Sequence, residues 1–153
     1  MIQVWFDGSI TKNPGGKAYA GWVIKRDNRL LVEDSCFIGE GDAMSNNVAE
    51  YEALNKALEY LRANRLNSEE IEAYGDSEIV VRRMTERRRS NGLCKPYSIK
   101  CLKLLNGFKS ISFTWIPRNS NEEADRMSKV RSSRVSEYDY DKDLTSEYLR
   151  VVA

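Results

Sequence analysis

Ile2, Val4 and Phe6 alternate with Gln3, Trp5 and Asp7 at the head of the chain, the period-two pattern of a half-buried strand. Such a strand turns Ile2, Val4 and Phe6 to one face and Asp7 to the other. Gly8 is expected to break it, ahead of the turn cluster Asn13-Pro14-Gly15-Gly16. Residues 18–25 and 30–39 read as two more strands joined at Asp27-Asn28, so the chain opens as a three-stranded meander. Tyr51, Leu54, Leu58 and Leu61 then recur at helical spacing behind the capping residues Ser45-Asn46-Asn47. Ile71 to Tyr74 predicts a short strand, which Gly75-Asp76-Ser77 turns into a helix expected to run from Glu78 towards Arg89. A further helical pattern covers Tyr97 to Leu105, and Ile111 to Ile116 alternates as a last strand, stopped by Pro117. Ser120-Asn121-Glu122-Glu123 has the spacing of a capping box and opens a short helix with Ala124, Asp125 and Met127. Beyond Val130 the pattern weakens. Residues 1–130 are therefore expected to form one domain, and residues 131–153 an extension packed on it or partly flexible.

Four acids share a structural address in this pattern. Asp7 and Asp76 stand at the ends of strands, where open α/β sheets bind ligands, and Glu50 and Asp125 stand in the first turns of helices. Glu50 precedes Leu54 by four residues, so it starts an apolar face, not a solvent face. Three of the four also have an ordinary reading: Asp7 as turn chemistry, Asp76 as a helix N-cap, Glu50 as a partner of a helix dipole. Convergence of all four changes the weighing. Two like charges about 4 Å apart repel by roughly 4 kcal/mol at an effective dielectric near 20, so a group of ionised carboxylates calls for cations. Oxygen-only ligation suits Mg²⁺ or Mn²⁺, and paired ions are the usual apparatus of in-line phosphoryl displacement.

Composition narrows the chemistry further. The 153 residues carry 24 basic and 23 acidic side chains, a net charge of +1 that does not itself announce a polyanionic or membrane partner. There is no histidine, which removes Ser-His and Cys-His catalysis and leaves carboxylates as the plentiful acid–base groups. Cys36, Cys94 and Cys101 show no C-x-x-C spacing and are expected to be small core residues. With neither a membrane-length apolar run nor a charged-then-apolar leader pattern, the expected location is cytoplasmic. Arg82, Arg83, Arg87, Arg88 and Arg89 crowd the end of one predicted helix and form a candidate phosphate-tracking patch, although without interleaved aromatics a solvated face competes closely.

Four motifs in order carry a resemblance: Phe6-Asp7-Gly8-Ser9 with Asn13-Pro14-Gly15-Gly16, Ser45-Asn46-Asn47-Val48-Ala49-Glu50, Gly75-Asp76-Ser77 and Asn121-Glu122-Glu123-Ala124-Asp125. Over roughly residues 1–130 the chain resembles ribonuclease H of type 1, in its short, histidine-free, reverse-transcriptase-like form. The resemblance implies an α/β fold with a five-stranded mixed sheet, three antiparallel strands continuing into two parallel ones, and helices on both faces. It implies that Asp7, Glu50, Asp76 and Asp125 hold two Mg²⁺ ions, with Mn²⁺ able to substitute, and cleave the RNA strand of an RNA–DNA hybrid to 3′-hydroxyl and 5′-phosphate ends. Gly8, Ser9 and Asn13, with the side chains of Asn46 and Asn47, would contact 2′-hydroxyls and minor-groove edges, and Ser45 a DNA-strand phosphate. Double-stranded RNA is a further candidate substrate, and the expected state is monomeric.

Three departures accompany the resemblance. Many relatives carry a histidine-bearing loop before the last aspartate, whereas Ile116-Pro117-Arg118-Asn119-Ser120 is short and offers Arg118 as its nearby cation. The basic, tryptophan-bearing handle of some relatives is missing between the middle helices, and the arginines of residues 82–89 are the candidates to compensate. Residues 131–153 match no family pattern. The competing reading is a catalytically weak or inactive module that holds hybrid or double-stranded RNA in the same groove. A four-acid cluster facing a polyanion argues against it, because that arrangement is electrostatically costly without metal.

Overall fold

The structure is a computed structural model that describes residues 1–130; the extension expected over 131–153 lies outside the described residues. Strand β1 (Ile2–Ile10), β2 (Gly15–Arg26) and β3 (Arg29–Gly41) form the antiparallel meander. Helix α1 (Asn46–Ala63) leads to β4 (Glu70–Gly75), α2 (Glu78–Thr85), α3 (Lys95–Leu105), β5 (Ser110–Trp115) and α4 (Glu122–Ser128). Strand order is β3-β2-β1-β4-β5, with β1, β4 and β5 parallel. This is the mixed five-stranded sheet that the resemblance implies.

The sequence pattern explains both faces of the sheet. Ile2, Val4 and Phe6 are fully buried in one core with Tyr51, Leu54, Leu58, Leu61, Val80, Met84 and Cys101, so α1, α2 and α3 cover that face. The opposite parity of β1 carries Asp7, and α4 packs across β1 and β2 there. The β2–β3 turn is tight because Asp27 and Asn28 both adopt positive φ, 48° and 67°, as the hairpin turns that match strand twist require. Ser45 caps α1 by accepting from the Val48 N–H at 3.2 Å. Among the described residues, no helix is long and apolar enough to cross a membrane.

Three boundaries differ from the sequence expectation. Gly8 does not end β1, which runs on to Ile10 paired with Ala18. The glycine is needed for a different reason: a Cβ there would lie 2.5 Å from the Ala49 backbone, so its absence is what allows α1 to come down onto the strand. Helix α2 stops at Thr85, and Arg87 then takes φ 55°. The expected capping box at Ser120 does not form either. Ser120 belongs to a short 3₁₀ turn, and Asn121 occupies the N-cap position without a side-chain capping bond.

Candidate active site

Strand register decides where the first two acids meet. Trp5 of β1 pairs with Tyr74 of β4 in a parallel ladder, and Asp7 and Asp76 each lie two residues further on, so they come abreast on the same face. Glu50 arrives from the other side, carried by α1 over the gap that Gly8 leaves open. One carboxylate oxygen from each of Asp7, Glu50 and Asp76 lies within 4.8 Å of the others. Asp125 stands beside this trio on the rim of the same depression, a cavity of about 180 Å³ also lined by Gly8, Ser9, Asn46, Arg118 and Lys129. Gly21, the register partner of Asp7, admits α4: a Cβ there would lie 2.2 Å from the Ser128 N.

Burial makes this cluster electrostatically tense. Glu50 is 1% exposed and Asp7 4% exposed. Loss of hydration is the chief cause that pushes the Asp7 carboxyl from its ordinary 3.8 up to about 7, and the negative charges of Asp76 and Asp125 add to it. Glu50 is driven well above the carboxylate range, first by burial and then by the facing Asp7. Glu50 Oε2 is moreover buried with no hydrogen-bond partner. Oxygen-only donors, mutual repulsion and an orphaned carboxylate oxygen fit a hard divalent cation.

The rim holds two cations. Lys129 Nζ reaches Asp125 Oδ2 at 3.1 Å, and Arg118 Nη2 lies 3.9 Å from Asp125 Oδ1 with its side chain 76% exposed. Asp125 is thus balanced by protein charges, while the buried Asp7 and Glu50 have no such cation among the described residues. Lys129 escaped the sequence reading, although its place four residues after Asp125 on one helix face is a legible signal.

The residues expected at the substrate are also gathered here. Asn13 Oδ1 accepts from the Asn46 N–H at 3.1 Å, which ties the first turn cluster to the start of α1. Ser77 Oγ donates to Asn47 Oδ1 at 3.1 Å, joining that helix start to the N-cap of α2. Ser9 Oγ is occupied by Ser128 O at 2.7 Å. The arginine cluster divides. Arg87, although exposed, folds back over β5, donating to Met84 O and, at 3.0 Å, to Ile111 O, with its guanidinium 5.2 Å from the Phe113 ring centroid. Arg88 pairs with Glu86 at 3.3 Å, and Arg82 and Arg89 are exposed.

Comparison with known proteins agrees with this architecture. Residues 5–130 match the family model described as reverse transcriptase-like. The chain is 35% identical over 128 residues to ribonuclease HI of Halobacterium salinarum, covering 82% of this chain and 61% of that protein. It is 34% identical over 129 residues to a bifunctional protein of Mycobacterium tuberculosis, covering 82% of this chain and 34% of that one. The chain therefore spans about three fifths of one curated relative and about a third of the other. Among solved structures, LC11-RNase H1 in complex with RNA/DNA hybrid matches with a TM-score of 0.72 and 33% identity, over 83% of this chain and 93% of that chain. A family match over residues 5–130, relatives above 30% identity and a solved structure that superposes with a TM-score of 0.72 lead to one assignment: this chain belongs to the ribonuclease H family, type 1.

Proposed function

We propose that the chain is an endoribonuclease that hydrolyses the RNA strand of RNA–DNA hybrids, acting as a monomer. The observation that carries this reading is the trio of the buried Asp7 and Glu50 with the half-buried Asp76, within 4.8 Å, in a family with a member solved in complex with RNA/DNA hybrid. Asp7, Glu50, Asp76 and Asp125 would hold two Mg²⁺ ions, with Mn²⁺ able to replace them. When bound, the ions supply Lewis-acid stabilisation of the phosphate and its leaving oxygen and activate the attacking water, giving 3′-hydroxyl and 5′-phosphate ends.

The chain's own residues then do four things. Asp7 and Glu50 must release protons before they can serve as ligands, since burial holds both carboxyls above their ordinary range. Gly8, Ser9 and Asn46 line the depression that holds the acids, with Asn13 and Asn47 hydrogen-bonded beside it; these residues would meet the substrate, where an amide can both donate to and accept from a 2′-hydroxyl, the group that distinguishes RNA from DNA. Ser45 accepts the Val48 N–H, and its hydroxyl, which meets the Cys94 thiol here, would turn to donate to a DNA-strand phosphate at the start of α1. Arg118, exposed and free to move from Asp125, would offset charge on the phosphate as the bond breaks.

Incubating labelled hybrid, double-stranded RNA and single-stranded RNA with the protein in Mg²⁺ or in EDTA tests the reading. Cleavage confined to the RNA strand of the hybrid, lost in EDTA, is expected; cutting of double-stranded RNA would widen the substrate class. Hybrid bound but left intact at saturating Mg²⁺ would replace the enzyme reading with the binding-module reading.

A further inference from the structure

We propose that Asn121 is a positioning residue that fixes the Asp76 carboxylate within the cluster and locks together the three elements that carry Asp7, Asp76 and Asp125. Its Nδ2 lies 3.0 Å from the Phe6 backbone oxygen and 3.0 Å from Asp76 Oδ2. Its backbone oxygen accepts the Asp125 N–H at 3.0 Å. One residue, 1% exposed, therefore touches the residue preceding Asp7, the side chain of Asp76 and the main chain of Asp125.

The orientation of its amide is fixed by chemistry. A carbonyl oxygen and a carboxylate can only accept, so the NH₂ end must face them. Oδ1 is then left buried without a partner, an arrangement natural structures rarely keep without a reason. Helix capping is not that reason, because Asn121 occupies the N-cap of α4 and its side chain makes no capping bond. The backbone of Asp76 is held separately, by Trp115 Nε1 donating to Asp76 O at 3.1 Å. Side chain and main chain of Asp76 thus have different anchors, and the amide is the one that restricts rotation of the carboxylate. Donors that orient metal-binding carboxylates typically contribute about 10–100-fold in metal affinity or activity.

The inference rests on the metal-dependent reading above, and the experiment separates the two. Mg²⁺ is titrated against melting temperature and against hybrid cleavage for the wild type, Asn121→Ala, Asn121→Ser and Ile71→Val, the last a core change away from the cluster. Asn121→Ala is expected to need about tenfold or more Mg²⁺ for half of its thermal stabilisation and for half-maximal cleavage, with KM for hybrid little changed. Ile71→Val should melt lower but keep the wild-type Mg²⁺ midpoint. If Asn121→Ala fails to fold, Asn121→Ser carries the same comparison, since its short hydroxyl cannot reach both acceptors at once. A wild type that Mg²⁺ does not stabilise overturns the functional reading itself. A wild type that responds, beside an Asn121 variant with an unchanged midpoint, overturns the positioning role even if that variant melts lower.

Discussion

Asp7 is the residue whose loss is expected to separate chemistry from binding. It interacts with all three of the other acids, Glu50, Asp76 and Asp125, whereas the proposed substrate contacts Asn46 and Asn47 belong to α1. Asp7→Asn is expected to reduce cleavage to below about a tenth of the wild-type rate, on the scale of losing a charge at the reacting phosphate, while hybrid affinity in a filter-binding assay stays within a few-fold. Arg118→Ala tests the exposed rim: as a charge held for the transition state, its loss should lower kcat by about 10²–10³-fold with little change in KM. An alanine variant at full rate would leave Arg118 a surface partner of Asp125, a pairing of about 0–1 kcal/mol. At this scale the sequence was informative about the acids and silent about what surrounds them. The four carboxylates could be read because strand ends and helix starts have local signals. Asn121 looked like part of a capping box, and its bonds to Phe6 and Asp76 join positions far apart in sequence.

Elements were legible in type and order because period and turn chemistry are local, and least legible where another element sets the limit. Gly8 read as a strand breaker, yet β1 passes through it because β2 goes on pairing with the strand as far as Ile10. Its true function, and that of Gly21, is to admit a helix. Adding a methyl at either site drives Cβ into backbone, at 2.5 Å from Ala49 or 2.2 Å from Ser128. Gly8→Ala and Gly21→Ala should each destabilise by about 1–3 kcal/mol, read as a lower melting temperature. Each should also depress cleavage by more than stability alone accounts for, Gly8→Ala by shifting Glu50 and Gly21→Ala by shifting Asp125. The end of α2 shows the same limit. Five arginines suggested one patch, but Arg87 is spent joining the helix end to β5. Replacing Arg82, Arg88 and Arg89 with glutamine should weaken hybrid binding and flatten its salt dependence, since fewer counterions are released. Arg87→Gln should instead lower the melting temperature and leave the salt slope unchanged.

The buried cluster makes stability of the whole molecule depend on pH and on cations together. Asp7 titrates in the folded protein at about 7 and ordinarily at 3.8, and Glu50 is shifted in the same direction. Between those limits the folded state binds more protons than the unfolded one, so stability falls as pH rises through the window from about 4 to about 7. In EDTA the protein is expected to melt higher at pH 5.5 than at pH 8. Ion pairs elsewhere have pH dependences of their own, and comparison with Asp7→Asn isolates the cluster: the variant should be more stable than the wild type at pH 8 in EDTA, with the advantage shrinking at pH 5.5. Mg²⁺ reverses the ranking, because a cation that binds only the folded state stabilises it in proportion to its affinity. That affinity is reduced wherever protons must first be displaced from the carboxylates. The Mg²⁺-induced rise in melting temperature should accordingly be larger at pH 8 than at pH 5.5 and largely absent in Asp7→Asn. Differential scanning calorimetry of the two proteins at both pH values, in EDTA and in saturating Mg²⁺, reads all of these differences at once. A wild-type profile flat in pH and indifferent to Mg²⁺ would mean that the three carboxylates share no demand for a cation.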